Sequence, residues 1–425
     1  MSENKATIKR LTQYLRGNVA SILGANVLNK AVVMLSNMVI ARMLTNAEYG
    51  IWSYVLNIYS YFTLISGFGL MQGAFQFGAE TQGTEKEFSY YRFCLNIGLA
   101  INVVLIGGTG VFLMLFSLPI PQSEIYVEIY VPILLLEYAM NVLQVILRSE
   151  NRIKEYAFAL NVNTVMLAIG TSLGSCFGLI GLVGGRYIAF FCSLVFLLVR
   201  LRPEMGKLKK AKKLRWAETG ALWHYSLLTG VSDALNVALY LLDVSMIAAL
   251  IRDPEQLSIY KMATYIPTAL SFIPSSVAIA MLPRFIANRN DPGKLKKSVS
   301  KQFFALGAGN AAVCLGLGIT APLVIYILAG PNYSASVPVF RVLLLGYFIS
   351  GTFRVLSANA LAGLRAVNFN LMVSILSILC DVVFNYILIQ KFGMIGAAYA
   401  TLSVQIVSSV AVFSALMWII ARRKP

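Results

Sequence analysis

Five cations stand where an apolar sequence has no ordinary use for charge: Lys30, Arg186, Lys261, Arg341 and Arg354. Each lies inside or at the edge of a long apolar run, as do the carboxylates Glu137, Asp233, Asp243 and Asp381. A lone charge at the centre of a bilayer costs about 3 kcal/mol even on insertion scales, so such groups must line water or meet one another. A buried ammonium or guanidinium needs an anion, and the forked guanidinium suits phosphate. A buried carboxylate can hold a coupling proton or Na⁺, or it can neutralise the cations; residue type and spacing leave both open. Asp233 leans towards pairing, because it lies nearer the basic end of its run.

Neutral polar residues extend these charges into stripes. Glu137, Asn141, Gln144 and Arg148 form one, and Asp233, Asn236, Tyr240 and Asp243 another. Lys261, Thr264 and Thr268, then Tyr347, Ser350, Arg354 and Ser357, then Asn370, Ser374, Ser377 and Asp381 repeat the pattern. Steps of three and four place each set on one helix face. For a single Ser, Thr or Asn the plain explanation is a hydrogen bond between helices that holds a bundle together. Charges as deep as Lys30, Asp243, Lys261 and Arg354 point instead to transport. The one histidine, His224, has no second histidine with which to form a metal site. The cysteines, without a CxxC pair, read as packing residues. No cofactor is expected.

The elements that must position these groups are transmembrane helices. Of the 425 residues 58% are hydrophobic and only 12% charged, about half the charge of a soluble domain. Apolar runs place spans at roughly 18–41, 49–75, 93–116, 125–147, 156–176, 179–200, 222–250, 258–282, 303–328, 335–361, 369–389 and 394–420. Most are near or above the ~20 residues a helix needs to cross a bilayer, whereas a barrel would show alternating segments of about ten. The expected fold is all-α and integral to the membrane, with about twelve helices. The first span lacks a small-residue exit and is expected to remain in the mature protein.

The formal charge of +17 does not imply nucleic acid, because most basic residues sit in short loops between spans. They crowd one side: Lys5, Lys9, Arg10 and Arg16, then loops holding Lys86 and Arg92, Arg148 to Lys154, Arg200 to Arg215 and Arg284 to Lys301, then Arg365, and finally Arg422 to Lys424. Opposite loops hold Arg42, Arg252 and Lys391. The positive-inside rule then puts both termini in the cytoplasm, with the basic loops touching anionic membrane lipids.

The longest basic loop divides the chain near its middle, and Phe177-Gly178-Leu179-Ile180-Gly181 recurs as Phe392-Gly393-Met394-Ile395-Gly396. Both copies lead into the last span of a six-span set. This predicts an N-terminal lobe over 1–205, a basic linker over 206–220 and a C-terminal lobe over 221–425. An even-numbered repeat keeps its orientation, so the lobes are expected to be related by a pseudo-two-fold axis along the membrane normal and to enclose a central cavity. A monomer suffices, since two lobes already supply both halves of that cavity.

The stretch Ala41-Arg42-Met43-Leu44-Thr45-Asn46-Ala47-Glu48-Tyr49-Gly50 resembles the A-R-x-L-x-x-x-E-[YF]-G turn of bacterial polysaccharide (oligosaccharide, O-antigen-type) flippases. Similarity continues at Leu147-Arg148 with Arg152 and Tyr156, from Tyr260 to Arg284, and from Gly330 to Arg341. Membership implies the multidrug/oligosaccharidyl-lipid/polysaccharide exporter fold, two six-helix lobes around a cavity. It implies translocation of a polyprenyl-pyrophosphate-linked oligosaccharide to the outer leaflet of a bacterial inner membrane. Related lipid II flippases place cavity cations on spans 1 and 8, which Lys30 and Lys261 match by position; they usually have fourteen spans, so this chain fits the shorter branch. In that setting Lys30, Arg186, Lys261, Arg341 and Arg354 would meet pyrophosphate, Asn57 and Tyr61 sugars, and Asp243, Glu137 and Asp381 the coupling ion. The rival functions are extrusion of drugs by the same superfamily, which would favour an acidic cavity, and a membrane-embedded polysaccharide polymerase or glycosyltransferase. An enzyme is disfavoured because the external loops are short and Glu124 and Glu128 stand without a partner motif.

Overall fold

The computed structural model describes residues 28–287, 292–364 and 367–422. The cations Lys5, Lys9, Arg10, Arg16, Arg365, Arg423 and Lys424 lie outside the described residues, as does the start of the first predicted span; the side chains of Asn236 and Arg284 also fall outside them. Among the described residues every regular element is a helix. In chain order these are α1 (28–43), α2 (Asn46–Ile65), α3 (Leu70–Glu80), α4 (Glu87–Leu115), α5 (Ser123–Tyr130), α6 (Ile133–Ser149), α7 (Ile153–Ser175), α8 (Gly178–Arg200) and the short basic α9 (Arg202–Lys210). Then come α10 (Gly220–Ile251), α11 (Pro254–Leu270), α12 (Phe272–Ala287), α13 (Pro292–Ile319), α14 (Ala321–Ala329), α15 (Ser336–Ile349), α16 (Val355–Gly363), α17 (Val367–Phe392) and α18 (Met394–Arg422). Each predicted span has a helix or helix pair in its place, and nine stretches among the described residues are long and apolar enough to cross a membrane.

Four predicted spans are interrupted, the 125–147 span at Val131 and Pro132 ahead of α6. Between α2 and α3, Gly67, Phe68 and Gly69 adopt positive φ of 69°, 45° and 76°. A Cβ on Gly67 would lie 2.6 Å from the Tyr138 ring, and one on Gly69 2.0 Å from the Ser226 carbonyl, so both the dihedral and the space call for glycine. The predicted 258–282 span breaks at Ser271, just after Leu270, whose carbonyl Pro274 cannot bond and would crowd. The predicted 303–328 span breaks at Thr320, and Pro322 sits in the first turn of α14, the position where a missing N–H costs least.

The chain forms two compact units. One contains α1, α2 from Ile58, α3 to α9 and α10 to Ala234; the other contains Asn46–Asn57 of α2, Pro119–Pro121 and the chain from Leu235 onwards. In the first, α7 and α8 meet through glycines: a Cβ on Gly170 would sit 2.4 Å from the Gly185 carbonyl, and one on Gly174 2.2 Å from that of Gly181. Membrane helices associate by such close backbone approach, since lipid gives them no hydrophobic drive. In the second unit Phe285, Leu306, Leu356, Leu361 and Leu416 share a buried apolar core.

At the basic end of the first unit, Arg152 bonds Glu150 at 3.2 Å, Glu155 at 2.8 Å and also Glu204, tying the α6–α7 turn to α9. Burial pushes the Glu150 carboxyl up, with Arg152 pulling it back. Nearby Lys212 reaches Glu85 at 2.7 Å with both side chains exposed, and that contact holds the Glu85 carboxyl below its ordinary value. An exposed pair is worth little, a network more. Lys212→Ala is therefore expected to leave the melting temperature in detergent unmoved. Arg152→Ala, which leaves Glu150 and Glu204 without their cation and Glu155 with Arg200 alone, should cost roughly 1–3 kcal/mol, read as a shift in melting temperature.

Candidate functional site

The densest polar cluster in the membrane region gathers around Asp243 of α10. Tyr260 of α11 and Thr401 of α18 each donate to its Oδ2, at 2.7 and 2.8 Å, and Asn385 Nδ2 of α17 donates to Oδ1 at 3.0 Å. Asp381, one helical turn before Asn385, is 3% exposed and lies within electrostatic reach of Asp243. Asp381 Oδ2 and Asn385 Oδ1 are buried without a hydrogen-bond partner among the described residues. Buried polar atoms are seldom left so, and two orphaned acceptors beside a carboxylate mark a place suited to a cation. Lys261 feels the field of Asp243 but makes no ion pair within 4.0 Å among the described residues.

The first unit holds a second cluster. Tyr59 donates to Glu137 Oε2 and packs against Tyr130 with ring centroids 4.6 Å apart. Arg186 of α8 lies over the rings of Tyr130 and Phe190, at 5.3 and 5.9 Å, and within electrostatic reach of Glu137. The structure thus brings Glu137 and Arg186 together, and separately Asp243, Asp381 and Lys261. Asp233 is exposed and accepts from Gln72 at 3.1 Å.

Arg354 is positioned by a backbone irregularity. Residues Ser350–Arg354 form a π-turn between α15 and α16, an arrangement frequent at functional sites. Gly351 is backed by Pro274 and Asn310, and Asn310 bonds Thr352 at 3.1 Å and Tyr347 at 3.0 Å. Arg354 makes no hydrogen bond or ion pair among the described residues, and its electrostatic neighbour is Tyr240. Arg341 has a different neighbour: its Nε donates to the Gly318 carbonyl at 3.0 Å, in the last turn of α13, where helical carbonyls lack partners and attract cations. Lys30 is exposed on α1 and Tyr61 half-buried on α2. Asn57 is 2% exposed and donates to Ser245 Oγ at 2.8 Å, while its Oδ1 stays without a partner among the described residues.

Tyr49 and Gly50, the end of the A-R-x-L-x-x-x-E-Y-G stretch, also have a clear use. Tyr49 Oη donates to Tyr265 Oη at 2.7 Å, and a Cβ on Gly50 would lie 1.8 Å from the Pro254 carbonyl. The motif therefore seats the start of α2 against the start of α11. Sequence reasoning missed Tyr59, Tyr260, Asn385 and Thr401. Asn385 was within reach, since it continues the Asn370–Asp381 stripe by one more step of four; a lone Thr401 in an apolar helix gives no such signal.

The fold is shared with membrane flippases and multidrug transporters. The chain superposes on the lipid II flippase MurJ, in an inward closed conformation, with a TM-score of 0.72 and 15% identity over 93% of this chain and 87% of that one. An inward-facing multidrug resistance MATE family transporter of the MOP superfamily matches with a TM-score of 0.71 and 15% identity, over 94% and 98% of the two chains. A MOP superfamily transporter from Pyrococcus furiosus follows at 0.61 and 14%, over 96% of each. No curated protein matches the chain by sequence. The protein belongs to the polysaccharide biosynthesis protein family, whose pattern it matches over residues 15–289.

Proposed function

We propose that this protein is a flippase that carries a polyprenyl-pyrophosphate-linked oligosaccharide from the cytoplasmic to the external leaflet by alternating access, for cell-surface polysaccharide biosynthesis. Two membrane-embedded cations without an ion pair among the described residues, Lys261 and Arg354, carry this reading in a chain of the polysaccharide biosynthesis family. A pyrophosphate head and its sugars cannot cross hydrocarbon, while the lipid tail has no reason to leave it. Lys30, Lys261 and Arg354 would neutralise the head. The orphaned Oδ1 of Asn57 can accept from a sugar hydroxyl, with Tyr61 alongside. Arg186, turned to Glu137 and two rings, serves more as that carboxylate's counter-charge, and Arg341 more as the cap of α13. The setting is a bacterial cytoplasmic membrane with both termini inside, and the lobes divide at the basic linker 206–220.

Coupling belongs to the Asp243 cluster. Its donor set of carboxylate, amide and hydroxyl oxygens is hard, which suits Na⁺ or a proton and not a soft metal. Asp243, Asp381, Asn385 and Thr401 would hold the ion and balance its charge. Asn385→Ala, which removes an unpartnered oxygen and the amide that orients Asp243, is expected to weaken Na⁺ binding roughly 10- to 100-fold. Sodium-dependent thermal stabilisation of the purified protein, with K⁺ as control, checks this; an unchanged sodium response removes the cluster from coupling.

The function is tested by depleting the protein and locating lipid-linked oligosaccharide with an impermeant sugar-cleaving reagent on sealed vesicles of known orientation. Build-up on the cytoplasmic leaflet supports translocation. Build-up on the external leaflet would indicate a later, polymerising step, and no build-up would favour drug or small-molecule extrusion.

A further inference from the structure

We propose that the groove between the basic ends of α7 and α8 is a binding site for one anionic phospholipid of the cytoplasmic leaflet. The helix pair builds the groove. Gly170, Gly174, Gly181 and Gly185 bring the backbones into contact at the far end. At the basic end Phe158 and Phe196 stand between the helices with ring centroids 5.9 Å apart. Bulkier side chains at this end border a cavity of about 420 Å³. Its floor is apolar: Leu147 from α6, Ala159 and Leu197, besides the two phenylalanines.

The rim carries the specificity. Lys154, Glu155 and Arg200 border the cavity, and Lys154 makes no ion pair among the described residues. Arg200 reaches Glu155 at 3.1 Å through one guanidinium nitrogen, yet its side chain stays 60% exposed. Glu155 is itself fixed by Arg152, so Arg200 is steered over the mouth with donors to spare. Apolar walls below paired cations fit an acyl chain below a phosphate, and basic pockets between helices on the cytoplasmic side are where acidic headgroups bind. A zwitterionic lipid fills the walls equally well but gains less from the rim. Only the choice of leaflet rests on the orientation proposed above; the site itself does not depend on the flippase reading.

The test is lipid retention by the full-length purified protein, equilibrated in detergent with equal phosphatidylglycerol and phosphatidylcholine and read by native mass spectrometry. Phosphatidylglycerol is expected to be kept over phosphatidylcholine roughly tenfold or more, as two phosphate contacts allow. Lys154→Ala with Arg200→Ala should bring the ratio near one. Lys154→Glu alone, which leaves the Arg200–Glu155 pair intact, should lower it and covers failure of the double variant to fold. Equal retention of both lipids by the unaltered protein, or a ratio unmoved by these changes, overturns the proposal. Labelling of Lys154→Cys in intact cells with an impermeant thiol reagent reports the orientation separately.

Discussion

Arg354→Ala is expected to lower export of lipid-linked oligosaccharide by roughly 10- to 100-fold, with the protein still folded and inserted. That is the cost of removing one charge-assisted contact to a phosphate, about 1.5–3 kcal/mol. The expectation rests on how the side chain is held. Its backbone is fixed by the Ser350–Arg354 π-turn and by the hydrogen bonds of Asn310 to Thr352 and Tyr347. Its guanidinium has no hydrogen bond or ion pair among the described residues, so deletion breaks no internal pair. Lys261→Ala should act in the same direction. Its effect mixes two terms, because it also leaves Asp243 without a nearby cation. Arg354→Lys separates charge from shape: an ammonium keeps the charge but loses the forked geometry, and partial activity would identify phosphate as the partner. Normal export by both alanine variants would sink the role assigned to these cations.

Gly50→Leu should be among the most destabilising single changes in the second unit. A Cβ at Gly50 would be 1.8 Å from the Pro254 carbonyl oxygen and 2.5 Å from its carbon. Those are backbone atoms, which cannot swing away as a side chain could. The start of α2 must then leave α11, which strains the hydrogen bond from Tyr49 to Tyr265. Overpacking of this kind costs about 1–3 kcal/mol or more. A fall in melting temperature in detergent reads it directly. Gly184→Leu is the control, since nothing lies within 4 Å of a Cβ there, and it should leave the melting temperature unmoved. Equal stability of the two variants would mean that α2 does not depend on this contact.

These two predictions draw on different layers of the sequence. The spans were legible because hydrophobic length is a local signal, and the breaks at Pro274 and Pro322 follow from a residue that cannot donate. The charges of the candidate site were legible too, because a carboxylate or an ammonium in an apolar run is conspicuous. Their partners were not. Nothing local tells Arg186 to lie against Tyr130, or Asp243 to accept from Thr401; those choices are made by helix rotation and by which helix packs beside which. The groove below Lys154 was equally hidden, since it is formed by side chains from α6, α7 and α8 that are far apart in sequence.

The π-turn at Ser350–Arg354 also bears on how the two halves of the chain should be compared. A π-turn closes i→i+5 where an α-turn closes i→i+4, so it stores one surplus residue without lengthening the helix by a whole turn. The corresponding helix of the first half, Ile133–Ser149, runs as plain α. The two halves therefore differ by a wide turn at this place. Conversely, deleting one residue from Ser350 to Phe353 would let the segment relax to ordinary α-helix. Because the surplus residue is held inside one wide turn, the residues on either side of the deletion would keep nearly their present facing. Hydropathy would be unchanged and a span would still form, but the widened turn that ends at Arg354 would be gone.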